Sequence, residues 1–147
     1  MKKANKTGIV IQARMGSKRL PGKSNILVNE KTVLEWVISS CKSVSKIDCV
    51  ILATSSRDNC DILEKVAKKE NIFCLRGPEE NVLSRYIEAI QIYKLDRVIR
   101  ITGDDLCHDP EFIETGIKIF EEEKYEYLIS HIDKYPLIDG LIFEIIE

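Results

Sequence analysis

The sequence predicts a three-layer α/β sandwich with a mainly parallel sheet, and three observations carry that reading. Short strand-like runs and helix-like stretches alternate four times along the chain, and parallel neighbours need helical crossovers. The strand-like runs are continuously apolar and rich in Val and Ile, as expected of strands covered on both faces. At 147 residues and 44% hydrophobic, the chain is the size of one domain with a substantial core.

In order, the strand-like runs are Gly8 to Gln12, Cys49 to Ala53, Ile72 to Leu75 and Arg97 to Thr102. Between and after them lie four apolar stripes of helical period. Val33, Leu34, Trp36, Val37, Ile38 and Cys41 follow the capping candidate Thr32, with Trp36 expected in the core. Ile62, Leu63, Val66 and Ala67 follow Asp58 or Asn59; Val82 to Tyr93 forms a third stripe. The fourth, Phe112 to Phe120, opens on Pro110 with Asp109 as its cap. Leu141 to Ile146 reads as a further strand, and residues 1–7 as a flexible basic tail. No repeat or linker breaks the chain, so residues 1–147 are read as a single domain, taken below as nucleotide-binding.

Charge is nearly balanced at −2, which removes the broad basic field of a nucleic-acid coat. It is unevenly placed: residues 1–29 hold seven of the 22 basic side chains and none of the 24 acidic ones. No apolar run approaches the ~20 residues of a membrane span, and no signal-peptide pattern is present, so a cytoplasmic protein without membrane contact is expected. The five cysteines include no CxxC pair and read as reduced thiols, mostly core residues.

Ligands of open α/β sheets bind beyond the carboxyl ends of the strands. Here those ends carry Ala13 to Lys23, then Thr54 to Arg57, then Arg76-Gly77-Pro78, and finally Gly103-Asp104-Asp105. The first of these loops gathers Arg14, Lys18, Arg19 and Lys23 for phosphate charge, Gly16 and Gly22 for close approach, and Ser17 as a donor. It suits a polyphosphate without being a Walker A loop, whose glycines stand five positions apart rather than six. A solvated basic loop is the plain alternative, set against its place directly after a buried strand. Asp104 and Asp105 are hard oxygen ligands suited to Mg²⁺ held largely by a nucleotide, or else members of a turn. Arg76 and Arg100 lie in apolar strand contexts that call for anionic partners. His108 and His131 read as surface or hydrogen-bonded residues, and Glu121 to Glu123 as a solvated helix end.

GIVIQARMGSKRLPGK, then TVLEWVI, ILATS, LRGPEENVLSRY and VIRITGDDLCHDP resemble, in order and spacing, the SpsF-like spore-coat polysaccharide proteins. Those belong to the cytidylyltransferase group that includes the CMP-KDO and CMP-sialic acid synthetases. The resemblance runs from about residue 8 to about 115 and implies a Rossmann-like, GT-A-like nucleotidyltransferase fold. It also implies transfer of CMP from CTP to a sugar or sugar-acid acceptor, with pyrophosphate released, for surface polysaccharide synthesis. Arg14, Ser17, Lys18, Arg19 and Lys23 would hold the triphosphate, and Asp104, joined by Asp105, would bind Mg²⁺. Arg14, Lys23 and Asp104 are the catalytic candidates; Ala13, Gly16, Ser55, Arg76 and Arg100 complete the nucleotide set. Where relatives read GDCPLIDP, the turn here is Gly103 to Pro110, and their DGxDxE appears as Asp139 to Glu144 with Ile142 at an acidic position. Relatives run on for a further stretch that carries acceptor and dimer contacts, so a chain shortened at its C-terminus is expected and homodimer formation is left open. A GT-A-like glycosyltransferase and a non-catalytic nucleotide- or partner-binding module are the competing functions.

Overall fold

The computed structural model describes residues 5–130 and 141–147. Its centre is a six-stranded sheet built from β1 (Thr7–Gln12), β4 (Cys49–Ser55), β5 (Phe73–Gly77), β6 (Arg97–Thr102), β7 (Tyr127–Ile129) and β8 (Glu144–Ile146), in the order β5-β4-β1-β6-β8-β7. The four strands from β5 to β6 are parallel; β8 runs antiparallel to β6 and to β7. A separate hairpin pairs β2 (Leu27–Val28) with β3 (Lys31–Thr32).

Strand alternation divides the core between two faces. Ile9, Ile11, Leu52, Ile99 and Ile101 face α1 (Val33–Lys42), α2 (Asp61–Lys69) and α4 (Pro110–Glu123), through residues such as Leu34, Leu63 and Ile117. Val10, Ile51, Ala53 and Val98 face α3 (Val82–Tyr93), which packs Tyr86 and Ala89 on them. Three helices therefore cover one face and one helix the other.

Thr32 caps α1 through a reciprocal box in which Glu35 N–H donates to Thr32 Oγ1 and the Glu35 carboxylate accepts from the Thr32 backbone. Asp109 accepts from Glu111 N–H at the start of α4, with Pro110 in the first turn. Helices α3 and α4 end on left-handed Lys94 and Lys124.

Several expectations change. The loose tail does not extend to residue 7, because Lys6 donates from its backbone to Asp96 and from Nζ to Tyr93 O, and Thr7 already opens β1. Trp36 is half-buried: α1 turns Leu34, Val37, Ile38 and Cys41 to the sheet, and the indole covers the hairpin, donating to Val28 O at 2.8 Å. His108 is buried instead of lying at the surface, and neither ring nitrogen has a hydrogen-bond partner among the described residues. Burial lowers its pKa. The last strand is confined to Glu144–Ile146. Cys41 and Cys60 are buried, Cys49 and Cys74 half-buried and Cys107 exposed; all five are free thiols. The readings of His131, Asp139 and Gly140 fall outside the described residues. Among those residues, no helix is long and apolar enough to cross a membrane.

Candidate nucleotide site

Parallel strands β1 and β6 end level with each other, Gln12 opposite Thr102. Gly103 N–H donates to Gln12 O at 2.8 Å, and a Cβ on Gly103 would stand 2.7 Å from that of Ala13. Only glycine allows that approach, which brings the Asp104 turn against the loop leaving β1. The loop folds back on itself through Gly22 N–H to Met15 O and Leu20 N–H to Ser17 Oγ, then enters a 3₁₀ turn at Lys23–Asn25.

Loop and turn enclose a polar cavity of about 460 Å³. Ala13, Arg14, Ser17, Lys18, Arg19 and Lys23 line it from one side, and Thr102, Asp104 and Asp105 from the other. Four cations thus face two carboxylates. Lys23 Nζ forms an ion pair with Asp104 across the cavity, while Asp105 accepts from Thr102 Oγ1 at 2.5 Å. Such a space, cationic on one wall and acidic on the other, accommodates a polyphosphate together with a divalent cation.

Glu79, buried behind the loop, is a member of the site that the sequence did not single out. Its carboxylate pairs with Arg57 Nε at 2.8 Å and Arg14 Nη1 at 3.5 Å, and accepts from Ser55 Oγ at 3.3 Å. A Cβ on Gly16 would lie 2.3 Å from Glu79 Oε1, so the loop passes directly over the carboxylate. The fully buried Arg85 fixes this segment from below by donating to the carbonyls of Pro78 and Glu79. In the sequence Glu79 sits in an acidic pair after Gly-Pro, a pattern indistinguishable from a solvated turn.

Four of the expected nucleotide residues do not line this cavity, Gly16 because it sits over the Glu79 carboxylate. Ser55 bonds Glu79 instead of facing the loop. Arg76 is held on α2 by Asp61 and Glu64, both at 2.7 Å, and by the carbonyls of Ser55 and Arg57. Arg100 pairs with Glu144 on β8 and lines a different cavity. For the two arginines, the anionic partner that the strand context called for is another part of the protein.

Comparison with known proteins bears on this arrangement. The profile of a family described as Cytidylyltransferase matches residues 8–137. The chain is 33% identical to the spore coat polysaccharide biosynthesis protein SpsF of Bacillus subtilis (strain 168), covering 94% of this chain and 58% of that protein. It is 32% identical to the 3-deoxy-manno-octulosonate cytidylyltransferase 2 of Hydrogenovibrio crunogenus, over 82% of this chain and 49% of that one. A solved cytidylyltransferase structure from Leptospira borgpetersenii serovar Hardjo-bovis (strain JB197) superimposes with a TM-score of 0.90 at 30% identity, covering 97% of this chain and 60% of the other. The chain therefore spans between about half and three-fifths of the length of these relatives. A profile match over most of its length, together with a fold shared at that level, makes this chain a member of the cytidylyltransferase family.

Proposed function

We propose that the cavity binds CTP with Mg²⁺ and that the chain carries the nucleotide half of a transfer of CMP to a sugar or sugar acid in surface polysaccharide synthesis. The observation that carries this reading is the convergence of Arg14, Lys18, Arg19 and Lys23 on one cavity that also holds Asp104. The relatives whose names include a cytidylyltransferase activity toward a sugar acid support the reaction class. CTP and the acceptor would meet in the cytoplasm, where the nucleotide is made available.

In the reaction, a hydroxyl oxygen of the acceptor forms a bond to the α-phosphorus as the bond to the bridging oxygen of pyrophosphate breaks, and the hydroxyl proton is lost. Charge builds on the departing pyrophosphate. Lys18, Arg19 and Lys23 line the cavity where they would neutralise it, and Arg14, paired with Glu79, would orient the phosphates. The metal site fits a nucleotide-borne cation: Asp104 supplies a carboxylate, Asp105 is already bonded to Thr102, and no cluster of three or more metal-ligating side chains exists among the described residues. Mg²⁺ bound there would add positive charge to the reacting phosphates.

Calorimetry with CTP, UTP and ATP in Mg²⁺, followed by pyrophosphate release with 3-deoxy-manno-octulosonate and related sugar acids, tests this. Binding selective for CTP with sugar-dependent pyrophosphate release is expected. Absence of CTP binding overturns the reading, and CTP binding without any pyrophosphate release favours the nucleotide-binding module.

A further inference from the structure

His108 is buried beside the acidic turn, and nothing in the nucleotide reading uses it. The residue is 5% exposed and stands between Asp105 and Asp109, the cap of α4. Its backbone carbonyl accepts from Ser40 Oγ, which ties the segment joining β6 to α4 onto α1. Both ring nitrogens are closed off from solvent and have no hydrogen-bond partner among the described residues. Burial lowers the pKa of the ring, and the groups that oppose it are the Thr102 carbonyl and the carboxylates of Asp105 and Asp104. Those are the polar atoms that the imidazole faces.

A neutral imidazole carries one N–H donor and one acceptor nitrogen. Leaving such a donor unpaired in the interior costs stability, so an orphan of this kind calls for a functional explanation. Because solvent does not reach the ring, the missing partner is a group of the protein that moves, not a ligand. The turn has both slack and a vacant acceptor. Asp105 N–H reaches the Thr102 carbonyl only at 3.5 Å, and Asp105 accepts from Thr102 Oγ1 through Oδ2 while Oδ1 accepts from no described residue. The related turns GDCPLIDP carry Cys and Ile where Asp105 and His108 stand, so the pair is a feature of this chain.

We propose that His108 is a positioning residue for the acidic turn, its N–H closing onto the Asp105 carboxylate when the metal-bearing nucleotide enters. The inference rests on the nucleotidyl-transfer reading above. In the nucleotide-free protein Asp104 is paired with Lys23. A triphosphate that takes Lys23 away releases Asp104 toward the cation, and the turn that carries both aspartates shifts with it. A hydrogen bond from His108 then holds Asp105 back and fixes the turn, so that Asp104 meets the cation in a set orientation. Ser40, bonded to the His108 carbonyl, keeps the imidazole in place from α1.

The test compares His108→Ile, His108→Asn and His108→Gln with the unaltered protein; the two amides put an N–H near the positions of Nδ1 and Nε2. Thermal unfolding of the free protein is measured alongside CTP affinity in Mg²⁺ and in chelator. His108→Ile should be at least as stable as the unaltered protein, since an apolar side chain replaces an orphaned polar one. Its CTP affinity in Mg²⁺ should nonetheless fall by about tenfold, with less than a twofold change in chelator. One of the amide variants should recover part of the loss. In ¹H–¹⁵N spectra of the unaltered protein, the imidazole N–H signal that His108→Ile lacks should move downfield when CTP and Mg²⁺ are added together, and not with CTP in chelator. A folded His108→Ile that keeps the full Mg²⁺ enhancement, losses equal in Mg²⁺ and chelator, or an imidazole signal unmoved by CTP with Mg²⁺ overturns the role of His108 while leaving the nucleotide reading intact. Failure of the unaltered protein to bind CTP overturns both.

Discussion

Lys23 and Asp104 form an ion pair across the candidate nucleotide cavity, so the carboxylate best placed for a metal is occupied by the lysine best placed for phosphate. Neither can perform its assigned role without releasing the other. A triphosphate that draws Lys23 away frees Asp104, and a cation on Asp104 frees Lys23; the two ligands are coupled, and the coupling is reciprocal. For a pair about a quarter exposed, the interaction to be broken is on the order of 0.2–1 kcal/mol.

Lys23→Met should accordingly act in opposite directions on the two ligands. Mg²⁺ binding to the nucleotide-free protein should tighten, by up to about fivefold, as Asp104 loses its internal partner. CTP binding should weaken by roughly 1.5–3 kcal/mol through loss of a charge-assisted contact, with CMP affected much less because the ammonium is assigned to the phosphate tail. Calorimetric titrations of metal alone, CTP and CMP separate these effects; equal losses for CMP and CTP would refute the assignment of Lys23.

The two aspartates should not be equivalent. Asp105 is tied to Thr102 Oγ1, whereas Asp104 is paired with the Lys23 ammonium, which a bound triphosphate would draw away. Asp104→Asn is expected to abolish the Mg²⁺ dependence of CTP binding, and Asp105→Asn to reduce it only partly, chiefly by loosening the turn. Comparing CTP affinities in Mg²⁺ and in chelator for each variant decides the matter. Similar losses at both positions would mean that the metal is shared between them.

A pH effect follows from the start of α1. Glu35 accepts from the Thr32 backbone and from Lys69, whose hydrogen bond is the main cause of a carboxyl pKa lowered from 4.5 to about 2. A depressed folded-state value means that its stabilising contribution is complete above the unfolded pKa and is lost as pH falls from about 5 toward 2. Glu35→Gln should lower stability by about 1 kcal/mol at pH 7, the usual size of a capping interaction, and narrow the gap to the unaltered protein as the pH is lowered. Urea unfolding at pH 7 and pH 3 gives both values; a gap that widens in acid would contradict the assignment.

Most of the architecture was legible because the four long strands and four helices announce themselves by period: Arg97–Thr102 and Val82–Tyr93 lie where the apolar pattern puts them. The short elements carried no such signal. The hairpin β2–β3 has two residues per strand and turns on Asn29 and Glu30, both with positive φ, a geometry that Glu does not advertise. At the site, the residues contiguous in the first loop converge, since one connection of a dozen residues cannot scatter them far. The isolated arginines were harder. A sequence shows that Arg76 and Arg100 need anions but not that Asp61, Glu64 and Glu144 supply them from neighbouring elements. Glu79 was hidden for the converse reason, a charged residue in a turn-like context that the fold buries among Arg14, Arg57 and Ser55.

Glu79 and Gly16 provide the remaining test, because the carboxylate lies where a side chain on Gly16 would be. A Cβ only 2.3 Å from Glu79 Oε1 must push the carboxylate aside, away from Arg14 and Arg57. Gly16→Ala should therefore cost roughly 1–3 kcal/mol of stability, as overpacking does, and weaken CTP binding because Arg14 loses its anchor. Glu79→Gln keeps the shape but removes the charge and turns one of the two accepting oxygens into a donor, so either Arg14 or the Arg57–Ser55 pair loses its acceptor. It should cost roughly 1–3 kcal/mol of stability and weaken CTP binding severalfold. Adding Glu79→Gln to Gly16→Ala should then produce little further loss, since both act through the same guanidinium. Thermal unfolding and CTP calorimetry on the two single variants and the double variant complete the cycle. Fully additive losses in CTP affinity would show that Gly16 and Glu79 act independently, and that Arg14 is not positioned by the carboxylate beneath it.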